Sequence, residues 1–339
     1  MSARRPSIVL ITMAVILVAA AAVVRLVVAP NATKLPADTD QTVRYAGETT
    51  MLDVKALRSG DTAHVLRSGI PVTADRRVRV TSTHGDTAVI EDTMTVRAGE
   101  QSSPSSKTYA VDRTSRKGAP PPDSTSAENS RGALSSAFPP DAEQDDSYTY
   151  YDATTRSIVP VRYTGTARRE GRAVNVYEIR VSAPVKDPAV LEPLPTALPK
   201  KLLAGLVPAL DSTSRARLTP TVLAALPDPV PLEYLGQSTL VAYVDRQTGI
   251  AVDQAVSRRT VATTSVAGAP TPLLPVSALT LEVTPESMRD LGDKATSAGR
   301  ILTALTVLAP LAMVVIAAVL LLATFMLARK RRAADEVPR

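Results

Sequence analysis

The 339-residue chain has no cysteine and no tryptophan, and only two histidines and two phenylalanines. Without cysteine there is no disulfide framework, no thiolate nucleophile and no thiolate zinc site. Two imidazoles, His64 and His84, fall short of most histidine-based metal centres. The chain also lacks a P-loop, a dinucleotide fingerprint and a His-Glu-x-x-His pair. Gly236-Gln237-Ser238-Thr239-Leu240 lacks the second glycine of a nucleophile elbow. A Ser–His–acid hydrolase would have to use His64 or His84, and neither stands in an activating constellation. The reading is therefore non-enzymatic: no catalytic, cofactor-binding or metal-ligating residue is assigned and no cofactor is expected.

What the chain does have is two long apolar runs. Ile8–Val24 holds seventeen residues without a charge behind Arg4 and Arg5, and Ile301–Leu327 holds twenty-seven ahead of Arg329-Lys330-Arg331-Arg332. At 1.5 Å per residue the second run reaches roughly 40 Å, more than a bilayer core needs, so it spans with tilt or bends at Pro310. The first is a retained anchor or a cleaved signal segment; Arg25 near its end would snorkel to the interface. Basic clusters beside both runs put both termini in the cytoplasm and the middle outside the membrane.

The net charge of +6 is then located. Eight of the 39 basic residues lie at the two ends, with two of the 33 acidic ones, leaving 31 of each sign in residues 26–328. A neutral middle does not support a nucleic-acid partner, which needs a clustered basic face. The expected organisation is a cytoplasmic tail (1–7), a transmembrane helix or signal anchor (8–29), an extracytoplasmic domain (30–300), a transmembrane helix (301–328) and a basic cytoplasmic tail (329–339). The fold class is a plasma-membrane protein with two terminal transmembrane α-helices flanking an antiparallel β-rich (α+β) domain.

Within the middle, Arg76–Thr83 and Thr87–Val96 read as a hairpin turning at His84-Gly85-Asp86, and Tyr148–Pro184 holds three strand-like runs. One pattern recurs: Asp112 to Ser115, Asp152 to Thr155 and Asp245 to Thr248, each closing a strand with Asp-x-x-Ser/Thr. An Asp carboxylate there accepts from amides two and three residues on, so these are turns; calcium ligation would need a denser set of carboxylates. Residues 115–147 read as a long mobile loop in which Asp145-Asp146 serve solvation. Residues 183–235 hold ten prolines, which forbid long helices and central strands. Their apolar residues either cap the β core or form a lipid-facing patch. Thr284-Pro285-Glu286 starts a helix that runs towards Ile301.

The run Tyr148–Pro184, with Tyr150-Tyr151-Asp152 leading through Gly171 to Val176-Tyr177-Glu178-Ile179, and the run Leu240–Arg259, with Val244-Asp245-Arg246-Gln247-Thr248-Gly249, together with the flanking apolar segments, resemble the actinobacterial porin PorA-like family, a membrane domain of unknown function. The family often carries tryptophan beside both motifs, which this chain lacks. The resemblance implies a cell-envelope protein. Its partners would be the lipid bilayer and an envelope lipid, glycolipid or membrane protein; an oligomeric channel is the alternative and an envelope hydrolase the second alternative.

Overall fold

A computed structural model describes residues 5–61, 64–122, 125–210, 212–266 and 268–335. Arg4 and residues 336–339 of the expected tails lie outside them. The chain divides into two compact units, Met1–Lys34 with Lys294–Arg339, and Leu35–Asp293.

The first unit is an antiparallel helix pair. The N-terminal helix runs over Arg5–Val23 and continues through a π-helical turn, Val24–Val28, into Ala29–Ala32. The C-terminal helix begins at Pro285 and passes through a π-turn, Ala304–Leu308, into Ala309–Asp335. Both are long and apolar enough to cross a membrane. Ala14, Ala21 and Ala29 on one helix and Ala317 and Thr324 on the other are buried, small residues that let the helices approach closely. Each π-turn ends two residues before a proline, Pro30 or Pro310. A proline supplies no N–H to the carbonyl four residues back and crowds it. The widened turn relieves the crowding, and the carbonyl left without its helical donor, Thr306 O, accepts from Arg25 Nη1 at 3.2 Å. Arg25 thus turns to a main-chain acceptor rather than snorkelling outward.

The second unit is built on twelve strands: β1 (Asp40–Leu52), β2 (Leu66–His84), β3 (Thr87–Ala98), β4 (Gln101–Asp112), β5 (Thr149–Asp152), β6 (Ser157–Arg169), β7 (Arg172–Pro184), β8 (Ala197–Leu198), β9 (Val230–Pro231), β10 (Glu233–Asp245), β11 (Ala251–Val266) and β12 (Ala269–Val283). Ten form one antiparallel, half-barrel sheet in the order β4-β3-β2-β1-β12-β11-β10-β7-β6-β5, while β8 and β9 pair separately. The expected hairpin is β2–β3, with Gly85 at φ +60 in its turn, and the three expected strands are β5, β6 and β7. The first and last strands pair, Tyr45 opposite Val283 and Thr49 opposite Leu279.

Residues 113–148 link the two edge strands. Lys117 and Gly118 bridge to β4 and to Leu134, and Leu134 bridges to Tyr150 of β5. Leu134 N donates to Thr149 O, and Tyr151 N donates to Leu134 O, both at 2.8 Å. Irregular backbone therefore completes at one level the ring that ten strands leave open. The expected loop is irregular, and several of its described residues pack inward. Leu134, Phe138 and Ala142 are buried, and Phe138 stacks on Tyr177 at 4.7 Å. Asp145 and Asp146 do more than attract water: Asp145 caps Ser147 N, and Asp146 Oδ1 accepts from Tyr163 N at 2.7 Å, covering an edge amide of β6.

All three Asp turns form as the chemistry requires. Asp112 Oδ1 accepts from Ser115 N and Oγ at 2.7 and 2.8 Å, Asp152 Oδ2 from Thr155 N and Oγ1 at 2.9 and 2.8 Å, and Asp245 Oδ1 from Thr248 N and Oγ1 at 2.9 and 2.8 Å. The residue four after each Asp has a positive φ: Arg116, Arg156 and Gly249. The proline-rich stretch folds into short helices, among them Lys200–Leu206, Ser212–Arg217 and Pro220–Ala225. Leu203, Leu206, Leu210, Leu218 and Leu226 turn inward onto Leu273 and Leu274 of β12, forming a cap with its own core rather than an apolar patch. Among the described residues, the exposed large apolar side chains all lie in Ile8–Val28 and Ile301–Leu327.

Candidate functional site

The period of two along each strand turns Tyr45, Arg76, Asp92, Tyr109, Leu240 and Arg258 to the inside of the half-barrel, where they line a cavity of about 200 Å³. A charged pair lies at its wall. Arg76 Nε and Nη2 meet the Asp92 carboxylate at 2.9 and 2.5 Å, with both side chains largely withdrawn from solvent. Burial opposes the Arg76 charge, but Asp92, with the nearby Tyr45 and Tyr150 hydroxyls, outweighs it and holds the guanidinium well above its ordinary range. Tyr45 Oη donates to Gln254 Oε1 at 2.7 Å. Burial pushes the Tyr45, Tyr109 and Tyr150 hydroxyls up, so they stay neutral and can donate.

Several groups in this lining have hydrogen-bonding capacity left over. Ser135, 3% exposed, has an Oγ without a partner. Arg258 lies close enough to pull down the hydroxyls of Tyr45 and Tyr150, yet it meets no carboxylate among the described residues. Lys107 closes one side, its Nζ 2.9 Å from Asp187 and 3.7 Å from Glu128. Buried polar groups in folded proteins are normally satisfied, so the unpartnered Ser135 Oγ is an exception within this polar lining.

The histidines lie elsewhere. His64 Nδ1 pairs with Asp61 Oδ2 at 2.9 Å on the surface, and His84 ends β2 opposite Thr87. No serine hydroxyl is bonded to either among the described residues. Sequence reasoning identified none of the cavity residues as a site. Arg76 stands in the hairpin that its sequence predicts, and no local pattern relates it to Asp92 or Arg258.

The family model described as Porin PorA matches residues 6–326. The chain belongs to the Porin PorA family. The match runs through both apolar helices and the whole β domain, as the motif resemblance implied. No curated protein matches the sequence. Among solved structures, HtdX from Mycobacterium tuberculosis is similar at 10% identity over 73% of this chain and 78% of that one, with a TM-score of 0.13.

Proposed function

We propose that this member of the Porin PorA family is a non-enzymatic plasma-membrane protein of the cell envelope, held by two transmembrane helices with both termini cytoplasmic. Its β domain stands outside the membrane and binds the polar head of an envelope lipid or glycolipid. The observation that carries the reading is the polar lining of the cavity, in which Ser135 Oγ is buried without a partner in a wall that also holds Tyr109, Tyr150 and Arg258. At about 200 Å³ the cavity is smaller than the roughly 300–1,000 Å³ of a drug-sized ligand site. It suits a head group, and an acyl chain would leave its polar lining unpaired.

The family's name suggests a pore. A membrane barrel needs an outward apolar band, and among the described residues the exposed large apolar side chains are confined to the two terminal helices. A pore would therefore need several copies, and planar-bilayer recordings on the purified chain are expected to show no conductance.

Native mass spectrometry of the full chain, extracted gently from its own membranes, tests the binding reading. The wild type should retain a polar lipid or glycolipid that S238F, which fills the cavity, releases without losing thermal stability. A bare wild type, or an adduct equally retained by S238F, contradicts it.

A further inference from the structure

A second depression lies on the other side of Lys107, an open groove of about 730 Å³. Its wall carries Lys107, Arg131, Arg156 and Lys186 against a single carboxylate, Glu128. Lys107 is committed to Glu128 and Asp187, and Glu128 also accepts from Tyr151 Oη at 2.7 Å. Arg131, Arg156 and Lys186 are exposed and meet no carboxylate among the described residues. Three cations without a carboxylate partner thus face one groove, within residues 26–328 that carry 31 side chains of each sign.

The backbone supplies an independent observation. Arg156 stands four residues after Asp152, the position held by Arg116 after Asp112 and by Gly249 after Asp245. Its φ is +51, in the left-handed region that side chains adopt only under strain, and Arg131 is at +48. Glycine meets the same geometry without strain in the Asp245 turn, where φ is +73. Of the five non-glycine residues with positive φ among the described residues, the two on this groove are both exposed arginines. Both guanidiniums also reach the Tyr151 hydroxyl, at the centre of the wall, electrostatically.

We propose that Arg131, Arg156 and Lys186 form an anion-binding groove for a phosphate-bearing ligand, distinct from the interior cavity. The planar forks of two arginines suit the paired oxygens of a phosphate, and the lysine adds a third donor. The phosphate comes either from an anionic lipid head group at a membrane surface or from a free phosphorylated molecule.

The test uses the full chain in phosphatidylcholine nanodiscs with two probes, soluble glycerol phosphate and vesicles containing phosphatidylglycerol. The wild type should bind at least one probe, with affinity falling as salt rises. R156G should weaken binding at least tenfold while unfolding no earlier than wild type, because glycine removes the backbone strain. R156K should retain most of the binding, and K186A, a surface change that leaves the backbone alone, should lose several-fold. Capture of the vesicles, with or without glycerol phosphate, assigns the anion to a lipid; glycerol phosphate alone assigns it to a free molecule. Binding of neither probe, or equal binding by wild type, R156G and K186A, overturns the proposal. The cavity adduct of the preceding section should survive R156G, so the two readings fail separately.

Discussion

Three turns share one sequence pattern but sit in different surroundings, so the same substitution should cost different amounts. Asp245 is 1% exposed and accepts from Gln247 N, Thr248 N and Thr248 Oγ1, as well as from Arg172 Nε at 2.8 Å and Nη2 at 3.1 Å. D245A removes the turn's acceptor and leaves the Arg172 charge, itself 23% exposed, without its partner. Breaking a buried pair in this way costs about 3 kcal/mol or more. Asp112 is half-buried, accepts from Thr114 and Ser115 and attracts the neighbouring Arg116 charge, and losing its turn bonds in D112A should cost about 1 kcal/mol. D152A, at a buried carboxylate without an ion pair among the described residues, falls between them. In a domain of this size each kcal/mol moves the thermal midpoint by about 2–4 °C. The expected losses are then roughly 6–12 °C for D245A and about 2–4 °C for D112A, read by circular dichroism in detergent. Equal losses at the two sites would refute the argument that the buried ion pair, rather than the turn, sets the magnitude.

Further expectations concern backbone, helix pairing and pH. A Cβ at Gly249, φ +73, would lie 2.4 Å from Pro139 O, whereas one at Gly85, φ +60, meets open space. G85A should therefore cost about 1 kcal/mol, the left-handed penalty alone, and G249A clearly more by the same denaturation assay. P310A restores the amide that Thr306 O lacks, so the cost of R25A, about 1 kcal/mol, should shrink in the P310A background. Additive effects in that double-mutant cycle would contradict the account of the π-turn. Burial pushes Tyr177 and Tyr234 up to about 12, with the Asn175 hydrogen bond to Tyr177 opposing. Unfolded tyrosines titrate near 10, so this contribution is fully present below about pH 10 and is lost as pH rises towards 12. Denaturation midpoints from pH 9 to 12 should fall, and less steeply in Y177F; a flat profile would count against the burial argument.

Local chemistry was legible in the sequence. The Asp-x-x-Ser/Thr turns, the Gly85 hairpin and the Thr284-Pro285 helix start involve neighbours within a few residues, and each forms as its side chains dictate. The apolar runs were legible by length alone. The pairing of β1 with β12 was not, because nothing near Tyr45 encodes Val283. How residues 115–147 pack was not legible from composition, because Leu134 and Phe138 are few in number but well placed, and backbone amides carry much of the closure. The cavity stayed hidden because alternation identifies which residues share a face but not which strands curve together. Arg76, Asp92 and Arg258 become neighbours only once the sheet closes. The groove had no local signal, because the turn position of Arg156 carries arginine again at Arg116.

The central claim is that the interior of the β domain holds the polar head of an envelope lipid or glycolipid. Its most direct test is an experimental structure of the full chain purified from its native membrane without delipidation. The account predicts density for a head group against Arg258, Tyr150 and Ser135. An interior filled by water alone, in a preparation that keeps its lipids, would contradict it.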